Sequence, residues 1–247
     1  MSRRIFLLGS TSPSFSNTLS TYFNGVNQYA FNNGAHQFGT ATSFAIGFWI
    51  KIPASGFGQR IISCMDAAFT TGYDISIQAG EVIRFEVVRL RSAGNFLRIE
   101  SGSLTPGQWY SVLVSYQGGA DRPGSRDGTL DMRMYIDGVS VGAGTGTIGI
   151  GFSNTSVFTV ASFNNGQGAF FDSNLDEISV YSGYKDATLA SAIYGAGTPT
   201  DRGGDADILS WWRMGDGDTY PTLTDNIGSD NLTMVNMSTA NFVNDVP

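Results

Sequence analysis

The sequence predicts an all-β protein arranged as a two-sheet antiparallel sandwich, and three observations carry that expectation. The 247 residues include 32 Gly and 13% aromatic residues but only 14% charged ones, a balance suited to short strands and tight turns. From residue 21 onward, short runs with alternating apolar side chains follow one another, each bounded by Gly, Asn, Asp or Pro. One stretch alone has helical spacing. A β sandwich of this length can fold as a single unit.

Taken in order, residues 1–20 are rich in Ser and Thr, with an apolar run limited to Ile5–Leu8, and are expected to form an arm that cannot fold alone. In "TYFNGVNQYAF", Asn24-Gly25 supplies a turn between two aromatic strands. "SFAIGFWIKI" at 43–52 places Phe44, Ile46, Phe48 and Ile50 on one face. Strands follow at "QRIISCMD", "YDISIQ", "VIRFEVVRL", "NFLRIES" and "WYSVLVSYQ". Asp137-Gly138 then turns a hairpin within "LDMRMYIDGVSVG". "GAGTGTIGIG" reads as turn and strand, since a phosphate-binding loop would need a strand-to-helix context. "VFTVASF" and "LDEISVYSG" complete the run. "DATLASAIYGAG" predicts one short helix near 186–195, with Leu189 and Ile193 at i, i+4 and glycine at its end.

Composition also removes whole classes of function. Fourteen Lys and Arg against 21 Asp and Glu give a net charge of −7, which repels phosphate and argues against nucleic-acid binding. The densest basic stretch spaces Arg84, Arg89, Arg91 and Arg98 along strand-like sequence and reads as a solvated sheet face. No run approaches a membrane span or a secretory signal, and Cys64 is the single cysteine. Synthesis in a cytoplasm without signal-directed export is therefore expected.

The ordered set "YFNGVNQYAF", "SFAIGFWIKI", "GQWYSVLVSYQ", "MRMYIDGVSVG" and "LDEISVYSGYKDATLASAIYGAG", over roughly residues 21–197, resembles the laminin-G-like members of the concanavalin A-like lectin/glucanase jelly rolls. The resemblance implies a jelly-roll sandwich over residues 21–247. It also implies that "ILSWWRMGDGD" and "TDNIGSDNLTMVNM" stand in permuted order, since the family places such a segment first. Residues 205–247 are then expected to supply a completing strand and a rim loop through Trp211, Trp212 and Met214. The completion is either within the chain or between chains. Alternation puts one tryptophan in the core and the other outside.

The hydrolytic members of that superfamily use alternate carboxylates on one strand. Here Glu81 and Glu86 are five apart and Asp176-Glu177 is adjacent, so no enzyme is expected. His36, in "NNGAHQFG", reads as a surface polar residue, and Cys64 reads as a small buried hydrophobe. Asp216, Asp218, Thr219 and Asp225 are candidate calcium ligands on the rim, with Asx-turn capping by the same side chains as the alternative. No cofactor is otherwise required. Tyr73, Trp109, Tyr110, Phe170, Trp211 and Tyr220 are available as a sugar platform.

The sequence type also resembles virion proteins of bacteriophages. That implies a non-enzymatic capsid decoration or head-fibre protein on the virion surface, with a homo-oligomer expected. Arg3, Arg4, Ile5, Phe6, Leu7 and Leu8 would attach the arm to other capsid proteins. A carbohydrate-binding adhesion module and a tail or receptor-binding component are the alternatives.

Overall fold

A computed structural model describes residues 15–55, 57–119 and 124–247. Its strands are β1 (Ser20–Asn24), β2 (Tyr29–Asn32), β3 (Phe44–Lys51), β4 (Gln59–Met65), β5 (Gly72–Gln78), β6 (Val82–Leu90), β7 (Asn95–Ser103), β8 (Trp109–Tyr116) and β9 (Arg126–Asp127). After the one-turn helix α1 (Gly128–Asp131) come β10 (Met132–Ile136), β11 (Val139–Ser140), β12 (Thr145–Ile148), β13 (Phe158–Val160) and β14 (Asp172–Ser182). Helix α2 (Ala187–Tyr194) precedes β15 (Ile208–Trp212), β16 (Thr222–Leu223), β17 (Leu232–Val235) and β18 (Phe242–Val243).

These pair into two antiparallel sheets. The eight-stranded sheet runs β11-β10-β8-β3-β14-β1-β18, with β15 also on β14, and the ten-stranded sheet runs β16-β17-β2-β13-β4-β5-β6-β7-β12-β9. The predicted jelly-roll sandwich is the observed architecture. Phe44, Ile46, Phe48 and Ile50 all enter the core between the sheets, as their alternation requires.

The other face of β3 is covered as well. Helix α2 lies on it, and Ala190 and Ile193 pack with Ala45, Leu113, Tyr135 and Tyr181. Gly47 permits that approach, because a Cβ there would sit 2.4 Å from Ile193 Cδ1. The helix lies where the spacing placed it. Its first turn is capped by Asp186, which accepts from Thr188 N at 2.8 Å, and it ends on left-handed Gly195.

The C-terminal segment fills edges of both sheets within this chain. β15 pairs with Ile178–Tyr181 of β14, while β1 pairs with Asp172–Leu175 farther along the same edge. The two strands therefore lie end to end, joined where Thr21 Oγ1 donates to the Met214 carbonyl at 2.7 Å. In the other sheet β17 adds to β2. Trp212 enters the core and stacks on Phe158 with ring centroids 5.5 Å apart.

The tryptophan expected outside differs from that expectation. Trp211 does face away from the core, yet it is only 5% exposed, because Phe15 stacks over it and its Nε1 donates to Glu177. Within the stretch expected as an arm, β1 opens at Ser20, and Ser16, Thr18 and Leu19 bond the C-terminal segment. The attachment residues Arg3, Arg4, Ile5, Phe6, Leu7 and Leu8 lie outside the described residues.

Candidate functional site

The outer face of the ten-stranded sheet carries an array of polar and aromatic side chains. Strand alternation sends Ile62, Cys64, Tyr73, Ile75, Phe85, Val87, Leu97 and Ile99 into the core. The residues between them must face outward. Register then aligns Phe31, Thr159, Ser63, Asp74, Glu86 and Arg98 in one row across six strands.

Two carboxylates in that row, Asp74 and Glu86, are 1% and 2% exposed and directly opposite each other. Like charges so placed repel, and arginines offset the repulsion. Arg98 reaches Glu86 Oε1 at 2.6 Å and Arg91 reaches Oε2 at 3.0 Å. Burial pushes the Glu86 carboxyl up, but the bonds and charges of Arg91 and Arg98 together outweigh it and hold it below its usual value. Arg60 Nε lies 3.0 Å from Asp74 Oδ1, too poorly aligned for a hydrogen bond. Burial therefore prevails at Asp74 and raises its carboxyl to about 6, against the charge of Arg60.

The same guanidiniums stack on rings. Arg91 lies 4.1 Å from the Phe69 centroid and 5.7 Å from Phe96, while Arg60 lies 4.8 Å from Phe69 and Arg98 lies 5.2 Å from Phe96. Phe163 meets Phe69 edge-on at 5.3 Å. Phe69 belongs to the 66–71 loop, and Phe163 to the 161–171 loop, whose Asn165 N donates to Thr159 Oγ1 of the row. Phe69, Ala161, Asn164, Asn165 and Ala169 all have positive φ, a conformation that costs a non-glycine residue about 1–2 kcal/mol. The two loops are thus held in unfavourable backbone over this face. Chemically, it presents guanidiniums fixed by buried acids and stacked on half-buried rings.

Of the basic stretch, Arg84 and Arg98 do lie on the sheet face, Arg84 paired with Glu100 at 2.6 Å. Arg91 folds back from a short 3-10 turn after β6, and Arg89 is exposed at the strand end. Of the aromatic platform candidates, Tyr73 is core, Phe170 packs on Tyr29 and Trp109 donates to Asp245. Tyr110 accepts from Thr105 N, and Tyr220 is 42% exposed. The ladder at Phe69, Phe96 and Phe163 was missed, because these residues occur in three separate segments.

Asp216, Asp218, Thr219 and Asp225 are not drawn to one point. Among the described residues no group of three or more His, Cys, Asp or Glu is placed to hold a metal. Asp216 accepts from Thr18 N and Leu19 N, and Asp218 accepts from Gly215 N and Thr224 N. Asp225 accepts from the backbone N–H groups of Trp211, Ile227, Gly228 and Asp230. Thr219 is exposed and forms a bridge with Thr222.

His36 corrects the surface reading. It is 8% exposed, edge-on to Phe158 and Trp212, with Nε2 3.0 Å from Ser210 Oγ. Burial pushes its imidazole down to about 4, against the pull of Asp230 and Asp225. Because the folded value lies below the unfolded 6.5, this contribution is full above pH 6.5 and is lost as pH falls toward 4. Between pH 7 and pH 5 the wild type should lose about 2 kcal/mol relative to His36→Gln. Urea melts at both pH values check this, and parallel pH profiles would refute it. Cys64 is buried, and burial raises its thiol to about 12.

A laminin G family model, described as concanavalin A-like lectin/glucanases superfamily, matches residues 23–188. The chain belongs to that family. No curated protein sequence matches it. A putative carbohydrate binding protein from Bacteroides ovatus is similar at 17% identity and TM-score 0.62, over 89% of this chain and 58% of that one. Domain 4 of AbnA, an extracellular arabinanase from Geobacillus stearothermophilus, in complex with arabinotriose, is similar at 15% identity and TM-score 0.49, over 70% and 74%. The binding domain of Paraclostridial mosquitocidal protein 1 is similar at 14% and 0.48, over 73% and 47%. At these identities the likeness is one of fold, and the chain spans 58% of the Bacteroides structure's length.

Proposed function

We propose that the chain is a non-catalytic carbohydrate-binding module, and that its ligand rests on the outer face of the ten-stranded sheet around Phe69, Arg91, Phe96 and Arg98. The observation that carries this reading is the ring-and-guanidinium ladder anchored on Glu86. Sugar rings present apolar C–H faces that lie on aromatic rings, and hydroxyl groups that pair with planar charged groups. Membership of a lectin/glucanase superfamily supports the same class of ligand.

A binding role is favoured over hydrolysis because a glycosidase needs an accessible acid and base on either side of the bond. Here Asp74 and Glu86 are sealed beneath the arginines. The test is a glycan array followed by titration of the bound saccharide. Phe69→Ala and Arg91→Ala should each weaken binding by about tenfold or more, with cooperative melting retained. Unchanged affinity in both variants would remove this face as the site.

A further inference from the structure

Strand β14 breaks its alternation beside the C-terminal segment. Leu175 pairs with Ile50 and Asp176 with Trp49, but the next pair is Ser179 with Gly47. Glu177, between them, has φ of +48°. Leu175 and Ile178 both point into the core, so this bulge places Asp176 and Glu177 together on the outer face of the eight-stranded sheet. They are 0% and 3% exposed.

Residues 15–19 form the cover. Phe15 stacks on Trp211 at 6.1 Å with Arg213 4.5 Å from its ring, and the Ser16 carbonyl accepts from Arg213 Nη2. Thr18 N and Leu19 N donate to Asp216. Asn17 Nδ2 donates to Asp176 Oδ2 at 2.8 Å. Yet the second oxygen of each group, Asn17 Oδ1 and Asp176 Oδ1, is buried without a partner among the described residues.

Amide and carboxyl are both planar forks. When two such forks pair in one plane with one arm closed by N–H···O, the second arms bring acceptor against acceptor if the acid is ionised, which leaves buried lone pairs unsatisfied. A proton on the carboxyl converts one acceptor into a donor and closes the ring. The surrounding charges favour that proton. Glu177 on the same strand and Asp216 from the C-terminal segment are acidic, and Arg213 is shared between them at 3.3 and 3.4 Å. Lys51 on β3 is taken by Asp245 at 2.6 Å, and residues 15–19 bring no charged side chain. Burial first, then Glu177, holds the Asp176 carboxyl well above the usual range.

The geometry points to a proton latch: Asp176 is protonated at neutral pH and donates to Asn17 Oδ1, so that residues 15–19 form a strap over Trp211 which loss of the proton releases. Opening uncovers Trp211 and Arg213 on the outer face of the eight-stranded sheet. The proposal is independent of the saccharide face on the other sheet.

Hydrogen exchange of the full chain between pH 6 and pH 9, corrected for intrinsic rates, tests the latch. Protection of Thr18 N and Leu19 N in the wild type should fall on the order of tenfold for each pH unit above the Asp176 titration. Asp176→Asn should hold protection constant across the range, because its amide donates as the acid does, and Asn17→Leu should reduce protection at every pH. Wild-type protection independent of pH, or an Asp176→Asn strap that is loose at every pH, would overturn the proposal. The carboxyl carbon shift of Asp176 in the wild type gives a check free of substitutions: the protonated value is expected at pH 7, and the ionised value would refute the latch.

Discussion

Truncation after residue 204 should leave a chain that aggregates or fails to fold. The removed segment supplies Trp212, Met214, Leu223, Leu232, Met234 and Met237 to the core. Burial of one such side chain contributes about 1.5–3 kcal/mol, so their joint loss is about 10 kcal/mol or more. That matches the whole net stability of a typical domain, about 5–15 kcal/mol. Removal would also unpair edges of β14 and β2 in the two sheets, leaving templates for association. Near-ultraviolet circular dichroism and light scattering report both effects. A monomeric truncated chain with a cooperative melt would show that residues 1–204 fold without the C-terminal segment. Trp212→Ala is the milder form, expected to cost about 3–5 kcal/mol through loss of the Phe158 stack.

Asp225→Ala should have an effect comparable to that of Trp212→Ala. Four backbone N–H groups converge on this one carboxylate at 3.0 to 3.1 Å, from Trp211, Ile227, Gly228 and Asp230. Burial pushes the carboxyl up, but hydrogen bonds from Trp211 N, the Ser210 side chain, Gly228 N and Ile227 N outweigh it and hold it below its usual value. Hydrogen bonds to a charged group contribute about 1.5–3 kcal/mol each, and water replaces some of them. A net loss of about 3–4 kcal/mol is expected, or roughly 10 °C in Tm for a chain of this size. Asp225→Asn, which keeps an acceptor oxygen, should recover much of that loss. The same loss should appear in calcium and in chelator. If chelation alone destabilised the wild type by a similar amount, the carboxylate would be a cation ligand instead of a backbone clamp.

The particular elements separate what is local from what is not. Alternation in "SFAIGFWIKI", the Asp137-Gly138 turn and the capped helix after Asp186 are each determined by residues a few positions apart, so sequence by itself determined them. The completing strand was legible only through the family resemblance, alternation allowed either Trp211 or Trp212 to face inward, and the fold puts Trp212 in the core. The candidate face was less legible. "YDISIQ" and "RFEVV" each show a polar residue between apolar ones, but only the pairing of β5 with β6 sets Asp74 opposite Glu86, and only folded loops bring Phe69 and Phe163 over them.

Tertiary structure alone decided three further points. Phe15, distant in sequence, covers Trp211 and turns an outward tryptophan into a buried one. A single residue of positive φ, Glu177, puts two adjacent acids on one face where period-two alternation would separate them. His36 becomes a core group because Phe158 and Trp212 close around it from two other segments. Strand and turn propensities are short-range and can be read in order along the chain. Burial, register and titration depend on contacts between residues that only the closed sandwich brings together.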